Sequence, residues 1–278
     1  MHRLIPGPVD LATFATTAPA DAGSKKDSER TLAALGERLL DLQTKLFAEG
    51  KSGGHRQLLL ILQGMDTSGK GGVLVHTVGL MDPQALAITA FKAPSPEERA
   101  HDFLWRVERA VPQAGFVGVF DRSHYEDVLI QRVRSMATSD EIERRYGAIN
   151  DFERRLSEGG TTIVKCLLHI SAAEQRARLQ ARLDDPTKFW KYNPGDLDER
   201  QLWAEYTEAY EIALERTNTA WAPWHVIPSD SKWYRNVAVA TALLGALESM
   251  ALEWPAAQFD VAAEQARLAA DTISETIS

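Results

Sequence analysis

A short apolar run that leads into a glycine-rich turn constrains this 278-residue chain more than any other feature. Residues 58–62 are all leucine or isoleucine, and residues 64–70 then read Gly-Met-Asp-Thr-Ser-Gly-Lys. An apolar strand followed by Gly-x4-Gly-Lys and a helix is typical of a loop that holds phosphate oxygens with its backbone N–H groups. The pattern therefore predicts an α/β fold and a ligand that carries phosphate groups.

The loop departs from the usual pattern at one position. Gly71 stands where such loops normally carry a serine or threonine whose hydroxyl binds magnesium. Asp66 is the nearest carboxylate and hence the first candidate metal ligand, while Lys70 is expected to reach the phosphate. An ordinary glycine-rich turn between a strand and a helix is the alternative reading. The residues expected to surround phosphate oxygens are Gly64, Thr67, Ser68, Gly69 and Gly71.

Apolar runs and amphipathic segments alternate along the chain. Strands are predicted at 57–63, 87–91, 116–120, 161–170 and 224–228. Helices are predicted at 26–49, 70–80, 94–111, 123–135, 138–157, 171–183, 197–217 and 233–252. The alternation predicts a three-layer α/β/α domain over residues 27–255 with a mostly parallel five-stranded sheet. Residues 1–26 are predicted to be an arm that is loosely ordered unless docked, and residues 256–278 a tail.

Composition excludes several classes of function. The net charge of −8 argues against broad binding to nucleic acid, but a local basic groove would still suit a polyanionic substrate. No apolar run approaches the ~20 residues of a membrane span, and the first residues lack the apolar core of a secretory signal. The single cysteine, Cys166, lies in an apolar run and is predicted to be a buried thiol rather than a nucleophile. We therefore expect a cytoplasmic protein without a membrane or nucleic-acid partner.

Polar residues follow the strand ends, which share one rim of a parallel sheet. Asp121 ends a predicted strand, where phosphate-loop enzymes place a carboxylate that serves magnesium, although an aspartate there can also cap a helix. Arg122 presents a fork of donors suited to phosphate. Glu126 and Asp127 follow in the predicted helix. We expect Asp127 to lie close enough to Asp66 and Asp121 to share a divalent cation, because converging carboxylates need one.

A group of positive charges follows the fourth predicted strand. Arg178 and Arg182 are one helical turn apart, and Lys188 and Lys191 lie in the polar segment beyond them. We expect residues 176–200 to form a lid that closes over phosphates and excludes water, although solvated helix charges would show the same pattern. The other cations expected near the rim are Lys92, Arg106, Lys232 and Arg235.

Taken together, these motifs resemble those of the polyphosphate kinase 2 family over roughly residues 30–250. The segments that carry the resemblance are 64–70, 103–106, 120–129, 182–191, 223–228 and 233–236. The resemblance implies a phosphate-loop kinase fold like that of thymidylate kinase. It also implies an enzyme that moves phosphoryl groups between inorganic polyphosphate and adenine or guanine nucleotides.

Further expectations come with this resemblance. It implies Mg²⁺ as the cofactor, with Mn²⁺ as a substitute, and a homo-oligomer such as a dimer or tetramer. Asp66 and Asp127 would bind the metal, and Gly71 is then expected rather than anomalous. The residues implied to act in catalysis are Asp66, Lys70, Arg122 and Asp127. Those implied to line the polyphosphate path or the lid are Arg122, Arg178, Arg182, Lys188 and Lys191, and we expect Lys232 and Arg235 to lie along the same path.

The acceptor is the least constrained part of the prediction. The string from Ser123 to Asp127 resembles members that accept AMP, some of which also accept ADP, but several of those carry asparagine where this chain has Asp121. We predict reversible transfer to AMP and onward to ADP, with an ADP-preferring enzyme as the alternative. An ATP-dependent nucleotide kinase and a non-catalytic nucleotide-binding module are two further hypotheses.

Overall fold

The computed structural model describes residues 1–271 and is built around one central sheet. Its strands are β1 (His2–Arg3), β2 (Gln57–Gln63), β3 (Leu86–Ala90), β4 (Val117–Asp121), β5 (Thr161–His169) and β6 (Trp224–Pro228). Their order across the sheet is β1-β6-β5-β2-β4-β3. Strands β2 to β6 are parallel, and β1 pairs antiparallel with β6. The predicted α/β fold with a mostly parallel sheet is confirmed.

Helices cover both faces of this sheet. They are α1 (Lys25–Lys51), α2 (Lys70–His76), α3 (Trp105–Glu108), α4 (Ile130–Val133), α5 (Ser139–Glu158), α6 (Ala172–Leu183), α7 (Gly195–Gln201), α8 (Trp203–Thr217), α9 (Lys232–Ser249) and α10 (Val261–Ala269). Successive side chains of a strand point to opposite faces, so an apolar strand needs cover on both. Leu59 and Ile61 of β2 pack into a core with α5 and α8, whereas Leu58 and Leu60 pack into a second core with α9. No helix within residues 1–271 has the length and apolarity that a membrane span requires.

The prediction of five strands is wrong by one. The additional strand, β1, is only two residues long, so it carries no periodic signal in the sequence. It belongs to an N-terminal arm that docks on the domain: Leu4 donates a backbone hydrogen bond to Trp224 (2.9 Å), and Leu4 and Leu11 are buried. The antiparallel edge therefore comes from tertiary contacts of the arm rather than from its local pattern.

Two predicted helices are replaced by shorter turns. Residues 94–111 contain only a 3-10 turn at Glu98–Ala100 and α3, because His101 is extended and the Asp102 carboxylate accepts a hydrogen bond from the Leu104 amide. Residues 123–135 contain a 3-10 turn at His124–Asp127 and α4. The predicted helix at 197–217 is divided into α7 and α8.

Candidate active site

The phosphate loop connects β2 to α2 and is shaped by residues with positive φ. Gly64, Thr67 and Gly69 have φ of 148°, 64° and 111°. A Cβ at position 64 would lie 2.7 Å from the Leu168 carbonyl oxygen, and one at position 69 would lie 1.7 Å from a guanidinium nitrogen of Arg235. Position 64 therefore requires glycine for steric as well as conformational reasons. At position 69 the positive φ favours glycine, and a Cβ there would displace the Arg235 guanidinium.

The polar side chains of the loop have few protein partners. The ammonium of Lys70 donates to the Gly64 carbonyl (2.7 Å) and forms no ion pair within residues 1–271. Burial lowers the pKa of Lys70. The hydroxyls of Thr67 and Ser68 are buried without a hydrogen-bond partner among the described residues. Buried donors of this kind are expected to be satisfied, and an anion in the loop would satisfy them.

The guanidinium of Arg178 donates hydrogen bonds to the backbone of the phosphate loop. One guanidinium nitrogen donates to the carbonyls of Thr67 (2.8 Å) and Ser68 (2.9 Å), and the other donates to those of Ser229 (2.6 Å) and Asp230 (3.0 Å). The side chain is buried. Arg178 therefore joins the loop to the segment after β6, a contact that the sequence did not reveal.

Arg235 is a second buried guanidinium under the loop. It is 2% exposed, and it donates to the Asn236 side chain (2.8 Å) and more weakly to the Ser68 carbonyl (3.4 Å). No carboxylate within residues 1–271 pairs with it, and burial lowers the pKa of Arg235 to about 10. Its charge is therefore not neutralised by the protein.

The first cavity at the loop, which we call the cationic cavity, has a volume of about 610 Å³ and borders Thr67, Gly69 and Gly72. It brings together six cations that the sequence predicted: Arg178, Arg182, Lys188, Lys191, Lys232 and Arg235. Arg182 also pairs with Asp196 (3.3 Å), and Lys188 pairs with Asp185 (2.7 Å). A cavity with this lining suits a long polyanion.

The second cavity, the aromatic cavity, has a volume of about 250 Å³ and borders the loop at Gly64, Met65 and Asp66. Arg122 and Glu126 line it as well, together with polar residues of α6, α7 and the segment between them: Gln175, Asn193, Asp196, Glu199 and Arg200. Sequence reasoning missed the aromatic residues that α8 contributes: Trp203, Tyr206 and Tyr210. The spacing of three and four residues along one helix face was the available signal.

A third cavity of about 800 Å³ borders the loop and is lined by three aspartates. Asp66, Asp121 and Asp196 line it together with Lys92 and Arg122. The Arg122 guanidinium donates to Asp66 Oδ1 (2.7 Å). Arg122 has φ of 61°, a left-handed conformation that is uncommon outside glycine and that turns the chain sharply after β4.

Asp127 and Arg106 lie apart from these three cavities. Asp127 is not among the residues that line them, and its carboxylate oxygens lie 3.8 Å from Arg106 and 3.7 Å from Arg145. Burial raises the pKa of Asp127 to about 6. Arg106 donates to the Lys92 carbonyl (2.8 Å). The packing thus places Asp121, rather than Asp127, in a cavity with Asp66, and Asp127 as a metal ligand stays a prediction.

Comparisons with known proteins agree with this geometry. The sequence model of the family described as Polyphosphate kinase 2 (PPK2) matches residues 22–255. The chain is similar to the AMP/ADP-polyphosphate phosphotransferase of Meiothermus ruber, with 45% identity over 233 residues, 84% of this chain and 86% of the relative. It is also similar to the ADP-polyphosphate phosphotransferase of Rhodopseudomonas palustris, with 39% identity over 259 residues, 89% of this chain and 88% of the relative.

A solved structure extends the similarity to the fold. The crystal structure of polyphosphate kinase 2 from Arthrobacter aurescens TC1 is 57% identical in sequence and superposes with a TM-score of 0.93. The superposition covers 96% of this chain and 94% of the other.

Proposed function

The chain belongs to the polyphosphate kinase 2 family, and we propose that it transfers phosphoryl groups from inorganic polyphosphate to AMP and onward to ADP. It is an enzyme of the polyphosphate:nucleotide phosphotransferase class. The observation that carries the proposal is that the cationic and aromatic cavities meet at one phosphate loop. A polyanionic donor suits the first cavity, and a nucleotide with a planar base suits the second.

The loop residues would act where donor and acceptor meet. Lys70 and the loop N–H groups neutralise charge on the transferring phosphoryl group, and Arg122 orients the acceptor phosphate. Because the acceptor atom is already a phosphate oxygen, the reaction needs positioning and charge neutralisation more than a strong general base. Arg235 adds positive potential at the same place, whereas Arg178 is paired with Glu174 (2.8 Å).

AMP as an acceptor is supported by the relative from Meiothermus ruber, whose name includes both AMP and ADP. The relative from Rhodopseudomonas palustris is named for ADP alone, so an ADP-preferring enzyme is the second candidate. The aromatic cavity is the part of the structure that would set this choice, because Arg122 and Glu126 lie beside the loop there.

For magnesium we propose Asp66 and Asp121 as the protein ligands. Mg²⁺ usually takes one or two carboxylates together with substrate phosphates, and these two line the same cavity. The metal would supply charge neutralisation for the phosphates, and Mn²⁺ is the expected substitute. Magnesium titrations of Asp121→Asn and Asp127→Asn separate the two assignments. A raised magnesium requirement in Asp127→Asn alone would contradict ours.

The direct test is incubation with AMP, Mg²⁺ and long-chain polyphosphate in the absence of ATP, with ADP and ATP measured over time. We expect ADP first and ATP later, and a parallel reaction that starts from ADP gives the acceptor preference. Product that forms only after ATP is added would favour an ATP-dependent kinase. Nucleotide binding by calorimetry without turnover would favour a binding module.

A further inference from the structure

Lys165 is a charged residue in the middle of an apolar strand. It lies on the same face of β5 as Ile163 and Leu167, and its side chain is 0% exposed. Its ammonium donates to the Tyr125 hydroxyl (2.8 Å), Glu153 Oε2 (2.7 Å) and the Thr217 carbonyl (2.7 Å). An ammonium has three protons to donate, so this one is fully satisfied inside the core.

The contacts continue through neighbouring side chains. The Tyr125 hydroxyl donates to Glu153 Oε1 (2.8 Å), and Nε2 of His124 lies 3.3 Å from the same oxygen. Trp224 Nε1 donates to the Thr217 hydroxyl (2.9 Å). All of these side chains are buried. We call the group the Lys165 network; its members are His124, Tyr125, Glu153, Lys165, Thr217 and Trp224.

The Lys165 network joins two walls of the aromatic cavity. Tyr125 belongs to the 3-10 turn that also carries Glu126, a residue of one wall. Thr217 ends α8, the helix that supplies Trp203 and Tyr210 to the other wall. We propose that Lys165 is a positioning residue for the acceptor nucleotide, holding the turn and α8 at the spacing that the substrate needs. This inference rests on the proposed function.

None of the hydrogen bonds that join the six residues of the Lys165 network reaches a residue that lines the cationic cavity. Its arginines lie on α6 and α9 and bond to the phosphate loop and to the segment after β6. Loss of the network should therefore lower kcat/KM for the nucleotide and leave the affinity for polyphosphate unchanged. A residue that only stabilises the fold would affect both substrates alike.

The test uses a double variant, Lys165→Met with Glu153→Gln, in which neither member of the ion pair is left charged without its partner. The control is Ile163→Ala, a substitution on the same face of the strand. Tyr125→Phe is a milder variant that removes one hydroxyl of the network. For each protein, kcat and KM are measured for AMP and for polyphosphate, and AMP affinity by calorimetry. We expect kcat/KM for AMP to fall by about 10- to 100-fold in the double variant, as for small misplacements of reacting groups, with KM for polyphosphate unchanged. Tyr125→Phe should show a smaller loss in the same parameter.

The proposal is overturned if the double variant uses AMP as well as the control does, or if both substrates lose affinity equally. Should the double variant fail to fold, wild-type kinetics in Tyr125→Phe would overturn it. Absence of turnover in the wild-type protein would instead refute the proposed function, so the two failures are distinguishable.

Discussion

Two buried cations of this protein differ in how their charges are satisfied. Lys165 is 0% exposed and has a carboxylate, a hydroxyl and a carbonyl around its ammonium. Arg235 is 2% exposed and has an amide and a distant carbonyl but no carboxylate partner within residues 1–271. Removing a charge from water is costly unless a partner compensates it. Lys165 is compensated by the protein, whereas Arg235 lies beneath a loop suited to an anion.

The presence or absence of a carboxylate partner distinguishes buried charges that stabilise the fold from buried charges that bind a ligand. A compensated buried ion holds elements together, whereas an uncompensated one raises the affinity of a site for a ligand of opposite charge. Lys70 belongs to the second kind, because it too lacks an ion-pair partner among the described residues. Sites of this type often sacrifice stability for activity.

The largest effect is expected when the two buried cations are exchanged for methionine in separate variants. Lys165→Met leaves Glu153 buried without its partner, and we expect the free energy of unfolding to fall by about 3–5 kcal/mol. Arg235→Met removes an uncompensated charge and should leave the free energy of unfolding unchanged or raise it in the absence of ligand. Denaturant titration of both variants checks this. Equal destabilisation would remove the distinction between the two sites.

Lys70→Ala should abolish most transfer with little change in fold. Losing one preorganised positive group at the reacting phosphate costs on the order of 10²–10³-fold in kcat. Steady-state kinetics with AMP and polyphosphate measure the loss, and the exposed Lys51→Ala is the control. A folded Lys70→Ala protein with near wild-type kcat would refute the assigned role.

Adjacent glycines offer a matched pair at the loop. A Cβ at position 72 would lie 2.5 Å from an Arg235 nitrogen, whereas one at position 71 meets nothing within 4 Å. Gly72→Ala should displace the guanidinium and lower polyphosphate affinity by about tenfold, the equivalent of about 1.4 kcal/mol. Gly71→Ala leaves Arg235 in place and should lower polyphosphate affinity less than Gly72→Ala does, although Gly71 also borders a cavity at the loop. Equal affinities in the two variants would show that the position of Arg235 does not matter.

The smallest effect is expected in the lid. Lys191 lines the cationic cavity, and its ammonium lies 4.8 Å from the ring of the exposed Trp190. Lys191→Ala should raise KM for long-chain polyphosphate by an amount worth about 1 kcal/mol or less, since exposed charges are well hydrated. The effect should shrink between low and high salt because the Debye length falls from about 10 Å at 0.1 M to about 3 Å at 1 M. Kinetics at several salt concentrations, with Lys26→Ala as the control, test this; a loss that is independent of salt would contradict it.

The parts of the fold that sequence predicted are those with local signals. Strand β2 was predicted at its observed bounds, because a run of leucine and isoleucine ended by a glycine-rich turn is unambiguous. The helix predicted at 171–183 agrees with α6 (Ala172–Leu183), which begins after the N-cap Ser171, and a serine before an amphipathic segment is a strong helix start. The cations of the lid region were recognised by charge and spacing alone.

The parts that sequence could not predict depend on tertiary contacts. The turn at His124–Asp127 was predicted as a helix, but burial of His124 and Tyr125 against Glu153 favours a tighter turn. The role of Lys165 has no local signal in the sequence, because its neighbours on the strand are apolar and its partners come from distant segments. The wall of the aromatic cavity was missed since Trp203 and Tyr210 are equally compatible with a core position.

The account depends most on the claim that Arg235 is neutralised by the polyphosphate substrate. The direct measurement is the gain in free energy of unfolding on adding tripolyphosphate to the wild-type protein and to Arg235→Met at the same concentration. At about 100 times the wild-type Kd, we predict a gain of about 2.7 kcal/mol for the wild type, and about 1.4 kcal/mol for a variant that binds tenfold more weakly. Equal gains in the two proteins would contradict the account.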